Sequence, residues 1–269
     1  MLKTKPIGIF DSGVGGLTVV KSLLDNMPEE SFIYFGDTAH VPYGDKSQEQ
    51  LLIYAQDIIE FLLKQRVKAI VIACGTHSSI TLPLISTDYP LPLLGVVEAG
   101  ARQAAAKTRN GKIGVAATQA TVKSGTFTRS IHRLNSNLAV TEVACPLFVP
   151  LVENGNLTGP ETDEAIKNYF GPLLDRQIDT IILGCTHYPF LAPAIKKYTG
   201  DRVVLIDAAG ETIDELKAIL TAQDLINDGE GHPKREFYVS GEDTSFFKVG
   251  KLLVGNVIKE VKKVTLSNR

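Results

Sequence analysis

Two of the three cysteines stand in matching surroundings, and their side chains could carry out proton transfer. Cys74 and Cys185 each follow a short apolar run, and Thr and His come shortly after each of them, in A-C-G-T-H and G-C-T-H. A thiol between a strand and a helix lies near the positive end of the helix dipole, so we expect its pKa to be lowered. Cys145 lacks such neighbours and precedes Pro146 in an apolar stretch, so we interpret it as part of the hydrophobic core.

A matched pair of thiols suits inversion of a carbon stereocentre, because one group must remove a proton from one face and another must return a proton to the opposite face. Three other interpretations compete with this one. Disulfide exchange favours close C-x-x-C spacing, whereas these thiols are 111 residues apart. Zinc binding would recruit His77 and His187 as well, although structural zinc ligands are usually spaced more tightly. Finally, each thiol could be a small buried hydrophobic group without any chemistry.

A glycine-rich segment, D-S-G-V-G-G at 11–16, follows an apolar run and precedes a helix-like pattern. It lacks the G-K-[ST] of a P-loop, and Thr18 stands where the dinucleotide fingerprint needs its third glycine. We therefore expect no dinucleotide there. Asp11 could cap the following helix, or it could pair with a substrate ammonium group, and the residues alone leave both interpretations open.

A second candidate segment is G-D-T-A-H-V-P-Y-G at 36–44, directly after another apolar run. Its Pro-Tyr-Gly sequence predicts a turn at the same edge of the sheet as Asp11. The segment could be a simple turn or a part of a ligand site.

The elements that must position these residues are short apolar, β-branched runs alternating with helix-like patterns, which is typical of a parallel α/β sheet buried on both faces. The predicted strands are Ile7–Phe10, Phe32–Phe35, Val67–Ala73, Leu93–Val97, Ile113–Ala116, Leu138–Val143, Thr180–Leu183 and Val203–Ile206. The clearest helix opens at Ser47, where Gln50 completes a capping box. Further helices are predicted over Leu17–Leu24, after Gly159-Pro160 and over Glu211–Ala222.

A weak internal repeat links the two thiols. I-V-I-A-C-G-T-H at 70–77 is similar to I-I-L-G-C-T-H at 181–187, and I-G-I-F-D-S at 7–12 is similar to I-G-V-A-A-T at 113–118. The two pairs have nearly equal offsets, 111 and 106 residues. We therefore predict two similar α/β halves, each with one thiol at the carboxyl end of a buried strand, where open α/β sheets bind ligands.

Composition excludes several classes of protein. The 269 residues are 44% hydrophobic and 22% charged, with a net charge of −2, which is ordinary for a globular chain and gives no basic surface for nucleic acid or an anionic membrane. No apolar run approaches the roughly 18 residues of a membrane helix, and no signal-type stretch follows the first lysines. We expect a cytoplasmic protein with a small-molecule substrate, no nucleic-acid partner and no membrane partner.

The segments at 11–16 and 36–44, together with A-C-G-T at 73–76 and G-C-T-H-Y-P at 184–189, resemble glutamate racemase, a member of the aspartate/glutamate racemase superfamily. The resemblance spans nearly the whole chain. It implies two pseudo-symmetric parallel-sheet α/β domains with the active site between them, the first built from 1–97 plus 208–269 and the second from 98–207. It also implies interconversion of L- and D-glutamate without a cofactor or a metal, for peptidoglycan, cell-wall biogenesis and cell shape, by an enzyme that is commonly a homodimer.

The resemblance also assigns roles to residues. Cys74 would act on the D-glutamate face and Cys185 on the L-glutamate face, with Asp11, His187 and Glu153 assisting. The positions that match substrate contacts are Asp11, Ser12, Pro42, Tyr43, Gly44, Gly75, Thr76, Thr118, Thr121, Thr186 and His187. Hydroxyl and backbone N–H groups at these positions suit the carboxylates of glutamate, and without a cofactor the protein itself must stabilise a carbanion-like transition state.

One position departs from the family pattern. The family usually has Asn directly after the first catalytic Cys, and this chain has Gly75 there. Loss of the amide is expected to weaken affinity or rate by about 1–3 kcal/mol if a buried group is left unpaired, unless His77 or a water replaces it. A second departure is Ala99, where the family often has Pro after Glu98.

Two alternatives remain at this point. An aspartate or hydantoin racemase would share the superfamily and differ in the reach of the substrate side chain, although G-C-T-H-Y-P favours glutamate. An amino-acid-binding or regulatory protein would keep the fold after its chemistry had decayed at Gly75, although both thiols persist.

Overall fold

The computed structural model describes residues 2–242 and 244–266. Within these residues ten strands form two sheets, and every strand pair is parallel. The strands are β1 (Ile7–Asp11), β2 (Phe32–Gly36), β3 (Ala69–Ile72), β4 (Leu93–Gly95), β5 (Lys112–Ala117), β6 (Ala139–Ala144), β7 (Thr180–Leu183), β8 (Val204–Ile206), β9 (Arg235–Val239) and β10 (Lys262–Lys263).

Helices follow almost every strand of this part of the chain. The α-helices are α1 (Leu17–Asn26), α2 (Gln48–Lys64), α3 (Gly75–Ile80), α4 (Leu82–Ile85), α5 (Val96–Lys107), α6 (Gln119–Ser124), α7 (Thr126–Leu134), α8 (Phe148–Glu153), α9 (Pro160–Asp175), α10 (Ala192–Thr199), α11 (Ala208–Ala222) and α12 (Thr244–Val254). Short 3₁₀ helices cover Tyr43–Asp45, Tyr188–Leu191, Gly200–Arg202 and Gly255–Val257.

The two sheets repeat one topology, which confirms the predicted pair of similar α/β halves. Among the described residues the first sheet has the order β10-β9-β2-β1-β3-β4, and the second has the order β6-β5-β7-β8. The strands β2-β1-β3-β4 therefore correspond to β6-β5-β7-β8. In register, Phe10 pairs with Ile72 and Ala116 pairs with Leu183, which are the positions related by the 106- and 111-residue offsets.

A strand is present at each of the eight predicted places, but the fourth ends at Gly95 because Val96 and Val97 begin α5. Burial on both faces explains the most apolar of these strands, whereas β6 is partly or fully exposed along its length. All residues of β1, β2, β3 and β7 are buried, as parallel strands covered by helices on both sides require. Ser47 and Gln50 form the predicted capping box at the start of α2. Helix α11 begins at Ala208, three residues before the predicted start, because the Asp207 side chain accepts a hydrogen bond from the Ala209 N–H.

Strands β9 and β10 extend the first sheet and were absent from the sequence prediction. The segment that leads to β9 is anchored by a buried ion pair, in which Lys68 Nζ lies 2.6 Å from Glu30 Oε2. Lys68 also donates to the carbonyl oxygens of Lys3 and Leu225, while the Asn227 N–H donates to Glu30. Because the strands of the first sheet come from both ends of the chain, we propose the division into 1–97 plus 208–269 and 98–207.

None of the helices in the described parts of the chain combines the length and the apolar character that crossing a membrane requires.

Candidate active site

A cavity of about 170 Å³ lies where the carboxyl ends of the two sheets face each other. Residues from the ends of β1, β2 and β3 form one wall, and residues from the ends of β5, β6 and β7 form the other. The cavity is lined by Asp11, Ser12, Pro42, Tyr43, Asp45, Cys74, Thr76, Thr118, Gln119, Cys145, Pro146, Val149, Pro150, Cys185, Thr186, His187 and Tyr188. Both repeat-related thiols therefore line one cavity, on opposite walls.

Hydroxyl groups join the two walls in a pseudo-symmetric way. Thr76 Oγ1 lies 3.0 Å from Thr118 Oγ1, and Thr186 Oγ1 donates to Asp11 Oδ1 at 3.3 Å. Each contact connects the segment after a cysteine of one half with the end of the central strand of the other half. Thr121 completes the first group, since Thr118 donates to its hydroxyl at 3.0 Å, although Thr121 is buried behind the cavity wall.

Cys185 belongs to a hydrogen-bonded chain of three side chains. His187 Nδ1 lies 3.7 Å from Cys185 Sγ, and His187 Nε2 lies 2.6 Å from Glu153 Oε1. Burial opposes a charge on His187, but hydrogen bonds to Cys185 and Glu153 hold its pKa well above the ordinary value. Burial would raise the pKa of Glu153, yet its bond to His187 lowers it. An imidazolium beside Cys185 can serve as the counter-charge of a thiolate.

Cys74 has a different environment, and the expected lowering of its pKa is wrong. Burial raises the pKa of this thiol well above its ordinary value, and the Asp11 carboxylate raises it further. The backbone N–H groups of His77 and Thr76, at the start of α3, act in the opposite direction without overcoming these effects. The sequence showed the strand-helix junction but not the depth of burial.

Asp11 makes the capping contact that was one of its two predicted roles, and its pairing with a substrate ammonium group stays a prediction. Its Oδ2 atom accepts the Gly16 N–H at 2.8 Å at the start of α1, which is a capping contact. Its Oδ1 atom meets Thr186 across the cavity. The same glycine-rich segment packs against the opposite half, because a β-carbon on Gly15 would stand only 2.6 Å from Thr186 Oγ1.

Hydrogen bonds to Asp37 hold the segment that contains Pro42 and Tyr43. Tyr43 donates to Asp37 Oδ2 at 2.5 Å, Ser240 donates to Asp37 Oδ1 at 2.6 Å, and His40 Nδ1 lies 2.9 Å from both carboxylate oxygens. These bonds fix the Tyr43 ring in the cavity wall. Burial, followed by the charge of Asp37, holds the pKa of Tyr43 well above its ordinary value. Gly44 lies in the short helix Tyr43–Asp45.

His77 does not line the cavity. Its ring is fully buried between Phe10 and Tyr43, and its Nδ1 atom lies 3.1 Å from Thr81 Oγ1. Burial lowers the pKa of His77 to about 3. His77 therefore cannot contact a ligand in place of the Asn amide that the family usually has after Cys74. It also cannot complete a zinc site with the two thiols. Within residues 2–242 and 244–266, no group of three or more His, Cys, Asp or Glu side chains could hold a metal ion.

Gly75 and Glu153 also lie behind the wall, each against the opposite half. Gly75 contacts the Gly184 backbone, and Glu153 reaches the Val14 N–H at 3.5 Å. Asp11, Ser12, Pro42, Tyr43, Thr76, Thr118, Thr186 and His187 line the cavity, whereas Gly75, Thr121 and Glu153 lie behind its wall.

Several lining residues were not identified in the sequence. Cys145 is fully buried, as expected for a core residue, yet it also lines the cavity, and burial raises the pKa of its thiol. The others are Asp45, Gln119, Pro146, Val149, Pro150 and Tyr188. Gln119 could have been found, because it directly follows Thr118 at the end of a predicted strand. No Lys or Arg from the described ranges lines the cavity, so hydroxyl and N–H donors must bind any anionic ligand groups.

The match to a family model decides the classification. The model for Asp/Glu/Hydantoin racemase matches residues 16–216. The chain belongs to this racemase family. Among its relatives, a glutamate racemase from Carboxydothermus hydrogenoformans is 45% identical over 260 residues, covering 97% of this chain and 96% of the relative. A glutamate racemase from Neisseria meningitidis serogroup A is 43% identical over 265 residues, covering 98% of each chain.

Solved racemase structures have the same fold. A glutamate racemase isoform from Bacillus anthracis is 37% identical, with a TM-score of 0.94, covering 99% of this chain and 100% of that one. The glutamate racemase from Francisella tularensis, solved in complex with D-glutamate, is 35% identical, with a TM-score of 0.92 and the same coverage. The resemblance drawn from the motifs is thereby confirmed at the level of the family and the fold.

Proposed function

We propose that this chain is a glutamate racemase that interconverts L- and D-glutamate by proton transfer between two thiols, without a cofactor. The observation that carries the proposal is that Cys74 and Cys185, from equivalent positions of the two halves, line opposite walls of one cavity. Relatives named glutamate racemase, aligned over nearly the full length, support glutamate as the substrate.

In the proposed L-to-D direction, the Cys185 thiolate removes the α-proton and becomes a thiol, while the Cys74 thiol gives its proton to the opposite face and becomes a thiolate. The unlike surroundings of the thiols support this starting state. His187 offers Cys185 a positive neighbour, whereas burial and Asp11 favour the protonated form of Cys74. The D-to-L reaction starts from the reverse protonation of the same pair.

For binding, we propose that Asp11 pairs with the substrate ammonium group. Ser12, Thr76, Thr118 and Thr186 would donate hydrogen bonds to the two carboxylates, in keeping with a cavity that has acidic but no Lys or Arg lining residues in the described ranges. The contacts assigned by resemblance to Pro42, Tyr43, Gly44, Gly75 and Thr121 belong to this proposal as well.

The test is incubation of the purified protein with L-glutamate in deuterated water. We expect loss of optical rotation together with α-deuterium uptake, and loss of this activity in both Cys74→Ser and Cys185→Ser. Full racemisation by either variant would refute the two-thiol mechanism. Binding of glutamate without exchange in either enantiomer would favour an amino-acid-binding protein instead. Faster turnover of aspartate or a hydantoin would show that the substrate is that of another member of the racemase family.

The biological setting is part of the proposal. D-glutamate made in the cytoplasm would supply peptidoglycan synthesis and thus cell-wall biogenesis and cell shape, and the enzyme would act as a homodimer. Depletion of the protein should make growth dependent on added D-glutamate, and sedimentation equilibrium measures the oligomeric state. Growth without D-glutamate, where no other source exists, would contradict the cellular role.

A further inference from the structure

The backbone of the glycine-rich segment in the first half lies directly against the ring of His187 in the second half. Gly15 is part of the connection between β1 and α1, and His187 follows Cys185 by two residues. A β-carbon placed on Gly15 would stand less than 3.0 Å from His187 Nδ1 and 2.8 Å from His187 Cε1, separations that real β-carbons essentially never show. The two halves therefore touch beside one of the two thiols, at a point where a side chain has no room.

The same segment also lies against the carboxylate that is bonded to His187. A β-carbon on Gly13 would stand less than 3.0 Å from Glu153 Oε1, and the Val14 N–H donates to this oxygen at 3.5 Å. Residues 13–15 therefore form one side of the slot that holds both His187 and Glu153.

The His187 ring cannot move aside as the end of a flexible side chain would. The ring is 1% exposed, and its Nε2 atom lies 2.6 Å from Glu153 Oε1. Its Nδ1 atom, the one nearest to Gly15, is also the atom that lies 3.7 Å from Cys185 Sγ. A side chain at position 15 would thus displace the atom that faces the thiol.

Thr186 is the other group close to Gly15, and it can give way more easily. Its Oγ1 atom would lie 2.6 Å from a β-carbon on Gly15. This hydroxyl can rotate about its side-chain bond and lose only its contact with Asp11 Oδ1, which is already 3.3 Å long. The lasting displacement therefore falls on the ring of His187.

We infer that Gly15 is a positioning residue for His187. Because Gly15 presents only backbone to the imidazole, the ring can stay at the distance from Cys185 at which it serves as the counter-charge of a thiolate. The inference rests on the proposed racemase function for its kinetic consequence, whereas the packing of Gly15 on His187 is independent of the reaction.

The size of the effect follows from the displacement. Contacts of a β-carbon become ordinary from 3.4 Å, so an alanine at position 15 must shift the ring by a distance on the order of 1 Å. This shift takes Nδ1 out of hydrogen-bond reach of Cys185 Sγ. Since the lost bond is to a charged group, kcat/KM should fall roughly 10- to 100-fold in Gly15→Ala.

The experiment is a double-mutant cycle of Gly15→Ala and His187→Ala, measured as α-deuterium uptake from glutamate in deuterated water. If Gly15 acts through the ring, Gly15→Ala should change kcat/KM by less than about threefold once the ring is absent. Damage unrelated to His187 would instead multiply the two losses. The matched control is Gly171→Ala in helix α9, where a β-carbon meets Tyr198 Oη at an ordinary 3.5 Å, and it should keep wild-type kinetics.

The pH profile provides a second measurement that general structural damage would not move. The titratable groups facing His187 are Cys185 and, at the end of α8, Glu153, while Asp11 reaches the same segment through Thr186. Burial opposes the charge of His187, and the bond to Cys185 is the first of the contacts that hold its pKa up. Loss of this bond should move the high-pH limb of kcat/KM to lower pH in Gly15→Ala and leave it in place in the control.

Wild-type kcat/KM in Gly15→Ala, multiplied losses in the cycle, or an unmoved high-pH limb would overturn the inference. If the wild-type protein does not racemise glutamate, the proposed function fails, and crystal structures of wild type and Gly15→Ala still decide the positioning role. The separation of His187 Nδ1 and Cys185 Sγ, 3.7 Å in wild type, should then be longer in Gly15→Ala, and an unchanged separation would exclude the role.

A folding defect in Gly15→Ala would also be informative. If this variant does not fold, the double variant Gly15→Ala/His187→Ala should fold, because it lacks the ring that obstructs the new β-carbon. Failure of the double variant as well would place the obstruction elsewhere and overturn the inference.

Discussion

Replacing Glu153 with Gln tests whether the charge on this carboxylate drives the Cys185 side of the reaction. In the wild type, Glu153 Oε1 lies 2.6 Å from His187 Nε2. The substitution keeps an oxygen that can accept a hydrogen bond from His187 Nε2 and removes only the negative charge. His187 in turn lies 3.7 Å from Cys185 Sγ. Glu153→Gln should therefore leave the shape of the site intact and weaken the imidazolium that faces the thiol.

The size of the effect follows from the hydrogen bond. Bonds to charged groups contribute about 1.5–3 kcal/mol and neutral bonds about 0.5–1.5 kcal/mol, so the loss is about 1–1.5 kcal/mol. The His187 side chain is 1% exposed and that of Glu153 is 25% exposed, so water screens the pair only from one side. We expect kcat/KM to fall about tenfold, at about 1.4 kcal/mol per factor of ten.

The pH profile separates a charge effect from a change of geometry. Glu153 is one of the groups that hold the pKa of His187 up, so its neutralisation lowers that pKa and His187 loses its proton at a lower pH. The high-pH limb of kcat/KM should move to lower pH in Glu153→Gln. Since the two enantiomers have equal free energy in water, kcat/KM must fall equally in both directions, which provides an internal check on the assay.

Glu164→Gln is the matched control, because it removes the same charge at an exposed position of α9. Wild-type kcat/KM in Glu153→Gln would contradict a role of this charge in catalysis. A fall in kcat/KM with an unmoved high-pH limb would contradict it equally, because the carboxylate would then act through geometry alone.

Two further predictions concern stability. Lys68→Met leaves the buried carboxylate of Glu30 without its partner and should lower the free energy of unfolding in urea by about 3–5 kcal/mol. The exposed Lys64→Met should lower it by almost nothing. An unchanged unfolding midpoint in Lys68→Met would contradict the prediction. Since the folded-state pKa of His77, about 3, lies below its ordinary value of 6.5, the unfolded chain binds a proton more readily and stability falls as pH drops from about 6.5. Wild type should lose about 2–3 kcal/mol more unfolding free energy than His77→Leu between pH 6.5 and 4.5. Urea unfolding at both pH values measures this difference, and an equal pH dependence of the two proteins would contradict the prediction.

Local sequence was sufficient to predict the strands that are buried on both faces, because an unbroken apolar run is what such a strand requires. It was insufficient for β9, Arg235–Val239, whose first residues are charged and partly or fully exposed. It was insufficient also for β10, which has two exposed lysines and exists only through its pairing with β9. Both strands depend on long-range pairing that leaves no periodic pattern in the chain.

The candidate active site, too, could be predicted only in part from the sequence. The repeat predicted that Cys74 and Cys185 occupy equivalent positions, since equal offsets reflect equal topology. It could not predict that Cys145 would line the cavity too, or that His77 would turn away from it, because both depend on how the halves approach each other.

Pseudo-symmetry of the backbone gives the two thiols equivalent positions, but the proposed reaction requires them to differ at the start of each turnover, one protonated and the other not. The side chains around them supply that difference: His187 stands beside Cys185, and the carboxylate of Asp11 acts on Cys74. In the proposed mechanism, each turnover from L to D leaves Cys185 protonated and Cys74 charged, the form that this environment disfavours. The free enzyme must therefore return one proton from Cys185 to Cys74 before the next L-glutamate reacts, and the same imbalance that prepares the first proton transfer drives this return.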